Sequence, residues 1–174
     1  MSRSSWRAIL ESRWKLLKES KPDPRLAVIG IGNELWGDDA AGVMLARRLN
    51  AKDLSFDGLL IIDAGPAPEN YSGQIRRFRP DFVLLIDAMR PGSPVAAPGR
   101  IKWIEISDLD GVSALTHGMP LSVLGEFLRA QLGCSIGLLG IEGAVFTLAE
   151  DLSLPVKASV KKILRELTAL FSAE

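Results

Sequence analysis

Cysteine and histidine are almost missing from this 174-residue chain, which has one of each, Cys134 and His117. A lone cysteine excludes an internal disulfide and a cysteine-built zinc site. It lies in the apolar run Leu132-Gly133-Cys134-Ser135-Ile136, which reads as a small buried hydrophobe. Excess charge of either sign is also absent. Lys plus Arg and Asp plus Glu each number 21, so there is no electrostatic footprint for nucleic acid or an anionic membrane. No apolar stretch approaches the roughly 20 residues of a membrane-spanning helix. Trp6 to Leu17 is interrupted by Arg7, Glu11, Arg13 and Lys15 and lacks the apolar core of a signal peptide. The expectation is a cytoplasmic protein with neither a nucleic-acid nor a membrane partner. HExxH, GxSxG and a Cys–His pair are missing too.

What remains is ample material for a core, with 47% hydrophobic residues in a length suited to one domain. Residues 3–19 read as an amphipathic helix in which Trp6, Ile9, Leu10, Trp14 and Leu17 recur at spacings of three and four. Lys21-Pro22-Asp23-Pro24 stops it. The expected organisation is a single α/β domain over 1–174, with 1–24 an extra N-terminal helix and linker and 25–174 the core. Two tryptophans on one stripe call for burial, so the helix is expected to pack on the domain.

Beyond the linker, apolar runs at Leu26–Ile31, Leu59–Ile62, Phe82–Ile86 and Ile136–Ile141 lack alternation, as do strands covered on both faces of a parallel sheet. Helical stretches separate them at Asp38–Leu49, Pro68–Phe78 and Pro120–Leu132. A last helix from Pro155 carries Val156, Val160, Ile163, Leu167 and Leu170 on one stripe. Ile101–Ile106, with Lys102 and Glu105, reads as an edge strand that can run antiparallel. This order predicts a three-layer αβα sandwich with a twisted, mainly parallel sheet of about five strands.

Ligands bind at the carboxyl ends of strands in such sheets. LLIIDA (59–64) and VLLIDA (83–88) both end in Ile-Asp-Ala, which puts Asp63 and Asp87 on one sheet edge. Fixing a loop is the ordinary task of either alone; two neighbouring carboxylates favour a site. The first strand runs into Gly30-Ile31-Gly32-Asn33 and then Glu34-Leu35-Trp36-Gly37-Asp38-Asp39. A dinucleotide fingerprint needs glycine where Leu35 stands, and Asp38 and Asp39 occupy the helix start that a phosphate would use. Asp38 suits a helix N-cap, which leaves Asp39 to face the space above the sheet. Gly32 and Asn33 allow a tight turn, with Asn33 bonded into its own loop. His117 precedes a helix on the same side. Asp39, Asp87 and His117 together offer oxygen and nitrogen donors with open positions, a set for a borderline divalent ion such as Ni²⁺ or Zn²⁺. The loops Met89–Gly99 and Ser107–Gly118 are expected to border the cleft.

GIGNELWGDDAAG (30–42), IIDAGPAPEN (61–70), LLIDAM (84–89) and THGMPL (116–121) resemble the hydrogenase maturation endopeptidases, and are most similar to the branch serving hydrogenase 3 of formate hydrogenlyase type. The resemblance covers the chain from about Leu26 to the final helix. It implies a peptidase core at 25–174 that trims the C-terminal extension from a [NiFe] hydrogenase large-subunit precursor. It also implies that Asp39, Asp87 and His117 contact nickel carried by that substrate rather than a resident ion. Asp39 and Asp87 become the candidate catalytic carboxylates of an enzyme grouped with aspartic-type peptidases. Gly32, Asn33, Asp38 and Asp63 become supports, and the enzyme is expected to act as a monomer. Two other readings remain: a non-catalytic, nickel-dependent checkpoint or chaperone that binds the precursor, and a nucleotide-binding α/β enzyme.

Overall fold

The computed structural model describes residues 5–52, 54, 56–90, 97–108 and 120–172. Five strands, β1 (Leu26–Ile31), β2 (Leu59–Gly65), β3 (Phe82–Met89), β4 (Ile101–Glu105) and β5 (Ser135–Glu142), form one sheet in the order β2-β1-β3-β5-β4. The pairs β1–β2, β1–β3 and β3–β5 are parallel, and β4 joins β5 antiparallel at the edge. β1 and β3 are buried along their whole length, as non-alternating runs of Val, Ile and Leu require. β2 departs from that expectation. It is only partly buried because it forms the opposite edge of the sheet.

Helices cover both faces. On one lie α1 (Trp6–Ser20), α2 (Ala41–Asn50) and α5 (Leu154–Ser172), whose buried residues share a core with Val28, Leu84, Ile86 and Leu139. On the other lie α3 (Ser72–Phe78) and α4 (Leu121–Leu132), packed on Ala27, Ile29, Leu85 and Leu138. The three layers are those the pattern predicts. The α5 stripe ends differently, however. Phe171 is buried and Leu170 only packs against the core, since the 4-3-4 spacing continues by four residues from Leu167.

α1 is part of the core. Trp6, Leu10 and Trp14 are buried, and Trp14 meets Phe56 and Phe171 edge-on at centroid distances of 5.2 and 6.3 Å. Ser5 caps its start by accepting the Ala8 N–H. Arg13 ties it to the sheet edge, bonding Glu105 at 2.6 Å and lying over the Trp103 ring. Burying each large side chain of this stripe is worth roughly 1.5–3 kcal/mol, so the helix is held firmly. Cys134 is buried, as its apolar setting predicts. Among the described residues no helix is long and apolar enough to cross a membrane.

Candidate active site

The site is built where β1 and β3 end. After Ile31 the chain turns at Gly32, whose φ is +132° and where a Cβ would sit 1.8 Å from the Asp39 carbonyl oxygen. Only glycine tolerates both the angle and the approach. Asn33 then closes an Asx turn, its Oδ1 accepting the Leu35 N–H at 3.0 Å. The Asn33 N–H donates to Asp39 Oδ2 at 2.8 Å, fixing that carboxylate over the turn. Asp39 itself lies in a short 3-10 turn, Gly37–Ala40, that leads into α2. Gly42 lets α2 descend onto the sheet: a Cβ there would lie 2.2 Å from the Ile86 carbonyl oxygen and 2.3 Å from that of Ile31. The start of α2 is thereby pressed against the strand ends, and Asp39 is carried to the edge occupied by Asp87.

Asp87 is 1% exposed, and its Oδ2 has no hydrogen-bond partner among the described residues. Burial pushes its carboxyl up to about 8, the negative charge of Asp39 adds to the rise, and a backbone hydrogen bond at Ala88 opposes it. A buried carboxyl with an idle oxygen beside a second carboxylate resists charge unless a proton or a cation accompanies it. By donor chemistry the two aspartates could offer oxygens to a divalent ion, and among the described residues no third His, Cys, Asp or Glu joins them.

Asp38 corrects the expectation of a helix cap. Ala40 precedes α2 without any side-chain cap, and Asp38 points elsewhere. Its carboxylate, fully buried, accepts the N–H groups of Ala144, Val145 and Ser153 and the Ser153 hydroxyl, at 2.6–2.9 Å. It binds the segment between β5 and α5 to the turn that carries Asp39. Asp63 reaches the same sheet edge, its Cα in register with Gly30, but takes the ordinary role. It accepts from Arg47 Nε of α2 at 2.5 Å, and the same guanidinium bonds Glu34. His117 lies outside the described residues, as do 91–96 and 109–118 of the two loops expected at the cleft. β3 extends to Met89, so the first loop begins one residue later than its composition suggests.

One acidic residue at this edge was passed over in the sequence. Glu142, at the tip of β5 beside Met89, is buried and paired with Lys102 of β4. The signal was present, since Ile141-Glu142-Gly143 repeats the pattern of an acid at the end of an apolar strand. Its lysine neutralises it and sets it apart from Asp87. The nucleotide reading loses its ground here. The glycines of this region serve contact between α2 and the sheet, and Asp39 stands where a phosphate would bind.

Comparison with known proteins agrees with this architecture. The sequence profile of a family described as hydrogenase maturation protease matches residues 43–170. The hydrogenase 3 maturation protease of Escherichia coli K12 is 33% identical over 138 residues, which is 79% of this chain and 85% of that protein. The crystal structure of a [NiFe] hydrogenase maturation protease from Thermococcus kodakarensis KOD1 superposes with a TM-score of 0.77 at 31% identity, covering 92% of this chain and 99% of that one. The solution structure of an Escherichia coli endopeptidase, HycI, gives 0.72 at 31% identity over 83% and 90%.

Proposed function

Because the chain belongs to the hydrogenase maturation protease family, we infer that it is the endopeptidase that removes the C-terminal extension from a [NiFe] hydrogenase large-subunit precursor. The similarity to the Escherichia coli hydrogenase 3 protease supports a precursor of hydrogenase 3 type. Nickel enters as part of the substrate. Asp39, Asp87 and His117 would hold the precursor's nickel through its open coordination positions, so that only a loaded precursor is cut.

The observation that carries this reading is the state of Asp87. Its carboxyl is buried, lacks a partner for Oδ2 among the described residues, and is raised to about 8. Without a cation beside it, that rise favours the protonated form near neutral pH. A divalent ion brought by the substrate replaces that proton and offsets the repulsion from Asp39. Binding of the substrate's nickel and loss of the Asp87 proton are thereby coupled, which supports the reading of the site as a nickel sensor. Hydrolysis adds the hydroxyl of water to the acyl carbon and its proton to the departing amine. Asp39, fixed by the Asn33 N–H, is the carboxylate held in place to accept the water's proton.

Purified protein mixed with nickel-loaded precursor, followed by mass analysis of the precursor's C-terminus, tests this. A shortened large subunit is the expected product. A non-catalytic checkpoint would bind the precursor and leave its mass unchanged.

A further inference from the structure

We propose that Leu35, Trp36 and Leu148 form a preset apolar rim on which the precursor's own chain docks beside Asp39 and Asp87, a role that rests on the protease reading above. These side chains are 59%, 37% and 62% exposed. Single exposed leucines are ordinary. Here two loops far apart in sequence are bound together to present them.

The binding is strong and oriented. The Ala149 N–H donates to the Leu35 carbonyl at 2.8 Å, and the Asp38 N–H to the Val145 carbonyl at 2.7 Å. The Asp38 carboxylate adds its bonds to Ala144, Val145 and Ser153. Ala149 has φ of +62°, a left-handed conformation that an alanine avoids. Such a conformation persists only where the surrounding bonds over-determine it, and such strain gathers at functional sites. The rim therefore keeps one geometry before any partner arrives, which reduces the ordering cost of binding.

Its occupant follows from continuity with the site. The Asp39 N–H donates to the Trp36 carbonyl at 3.2 Å, so the rim and the candidate catalytic carboxylate belong to one turn. A chain lying with its scissile bond at Asp39 passes this turn. Of the charges beside it, Glu34 pairs with Arg47 and Asp151 lies 3.5 Å from Lys157, while Glu150 is exposed next to Ala149 and gives no welcome to an anion. What the rim offers is apolar area, and it suits the apolar side chains of a polypeptide rather than a charged ligand.

The test is steady-state cleavage of nickel-loaded precursor by the full chain and by the double variant Leu35→Ser, Leu148→Ser. Leu16→Ser, at an exposed leucine of α1, is the control. The double variant is expected to melt as the parent does and to raise KM at least about tenfold. Its kcat is expected within about twofold, and added salt should leave the parent's KM nearly unchanged. An unchanged KM in the double variant overturns the rim while the protease reading stands. So does a concentration-dependent dimer of the parent that the double variant dissolves, because the rim would then serve a second copy of this chain. Absence of cleavage by the unaltered chain overturns both.

Discussion

Burial, with the charge of Asp39 beside it, drives the Asp87 carboxyl up to about 8. The two residues lie 48 positions apart and meet because Gly42 lets α2 settle on the strand ends. This pairing penalises charge on Asp87 and makes that group's contribution to stability depend on pH.

Stability of the metal-free protein should fall as pH rises from about 4 to about 8. The unfolded Asp87 carboxyl loses its proton near its ordinary value of 3.8, whereas the folded one keeps it to about 8. Between those values the folded state binds the extra proton, so stability from this group is fully present at low pH and is lost through that window. The slope from one proton is at most about 1.4 kcal/mol per pH unit. Urea unfolding across the window should show the decline in the parent and its disappearance in Asp87→Asn. Equal slopes in the two proteins would contradict the assignment.

Asp38→Ala should cost about 3 kcal/mol or more, well beyond the roughly 0.5–2 kcal/mol of a lost helix cap. The change strands the N–H groups of Ala144, Val145 and Ser153 that the carboxylate now accepts. Because the same bonds hold the turn bearing Asp39, the fraction that remains folded should also cleave poorly. Chemical denaturation and an assay at equal folded concentration check both. A loss confined to the cap range would restore the simpler role.

Removing residues 1–24 should destabilise the protein strongly, and Trp14→Ala alone should cost roughly 3–5 kcal/mol. Trp14 is 2% exposed and fills the space between Phe56 and Phe171. A truncated chain with unchanged melting would show α1 to be an independent attachment.

The layers of this fold were legible because burial on both sides leaves a plain record. β1 and β3 are unbroken apolar runs, and the α5 stripe repeats at helical spacing. Lys102 and Glu105 mark β4 as an edge, and it is one. The partial exposure of β2 was not legible, since LLII reads alike in the centre and at the rim of a sheet. Asp39 and Asp87 stood out by position at strand and turn ends. The task of Asp38 did not, because its partners lie 106 to 115 residues away and a local cap explained it equally well. Glu142 was legible by the same pattern, an acid directly after the apolar run Ile136–Ile141, and was passed over.

His117→Ala and Asp87→Ala should each fold and each abolish cleavage, since on the proposed reading either change removes one of three donors for the substrate's nickel. Circular dichroism and the precursor's mass after incubation report the two outcomes separately. Full activity in His117→Ala would remove the histidine from the nickel-sensing set.

On the proposed reading, nickel in the precursor displaces the Asp87 proton and so licenses the cut. The most direct measurement compares the same precursor with and without nickel, incubated with the unaltered chain at pH 7 and read by mass at the C-terminus. The loaded precursor should be shortened rapidly and the nickel-free one not at all. Equal cleavage of both would contradict that reading, because the Asp39–Asp87 pair would then be cutting without sensing.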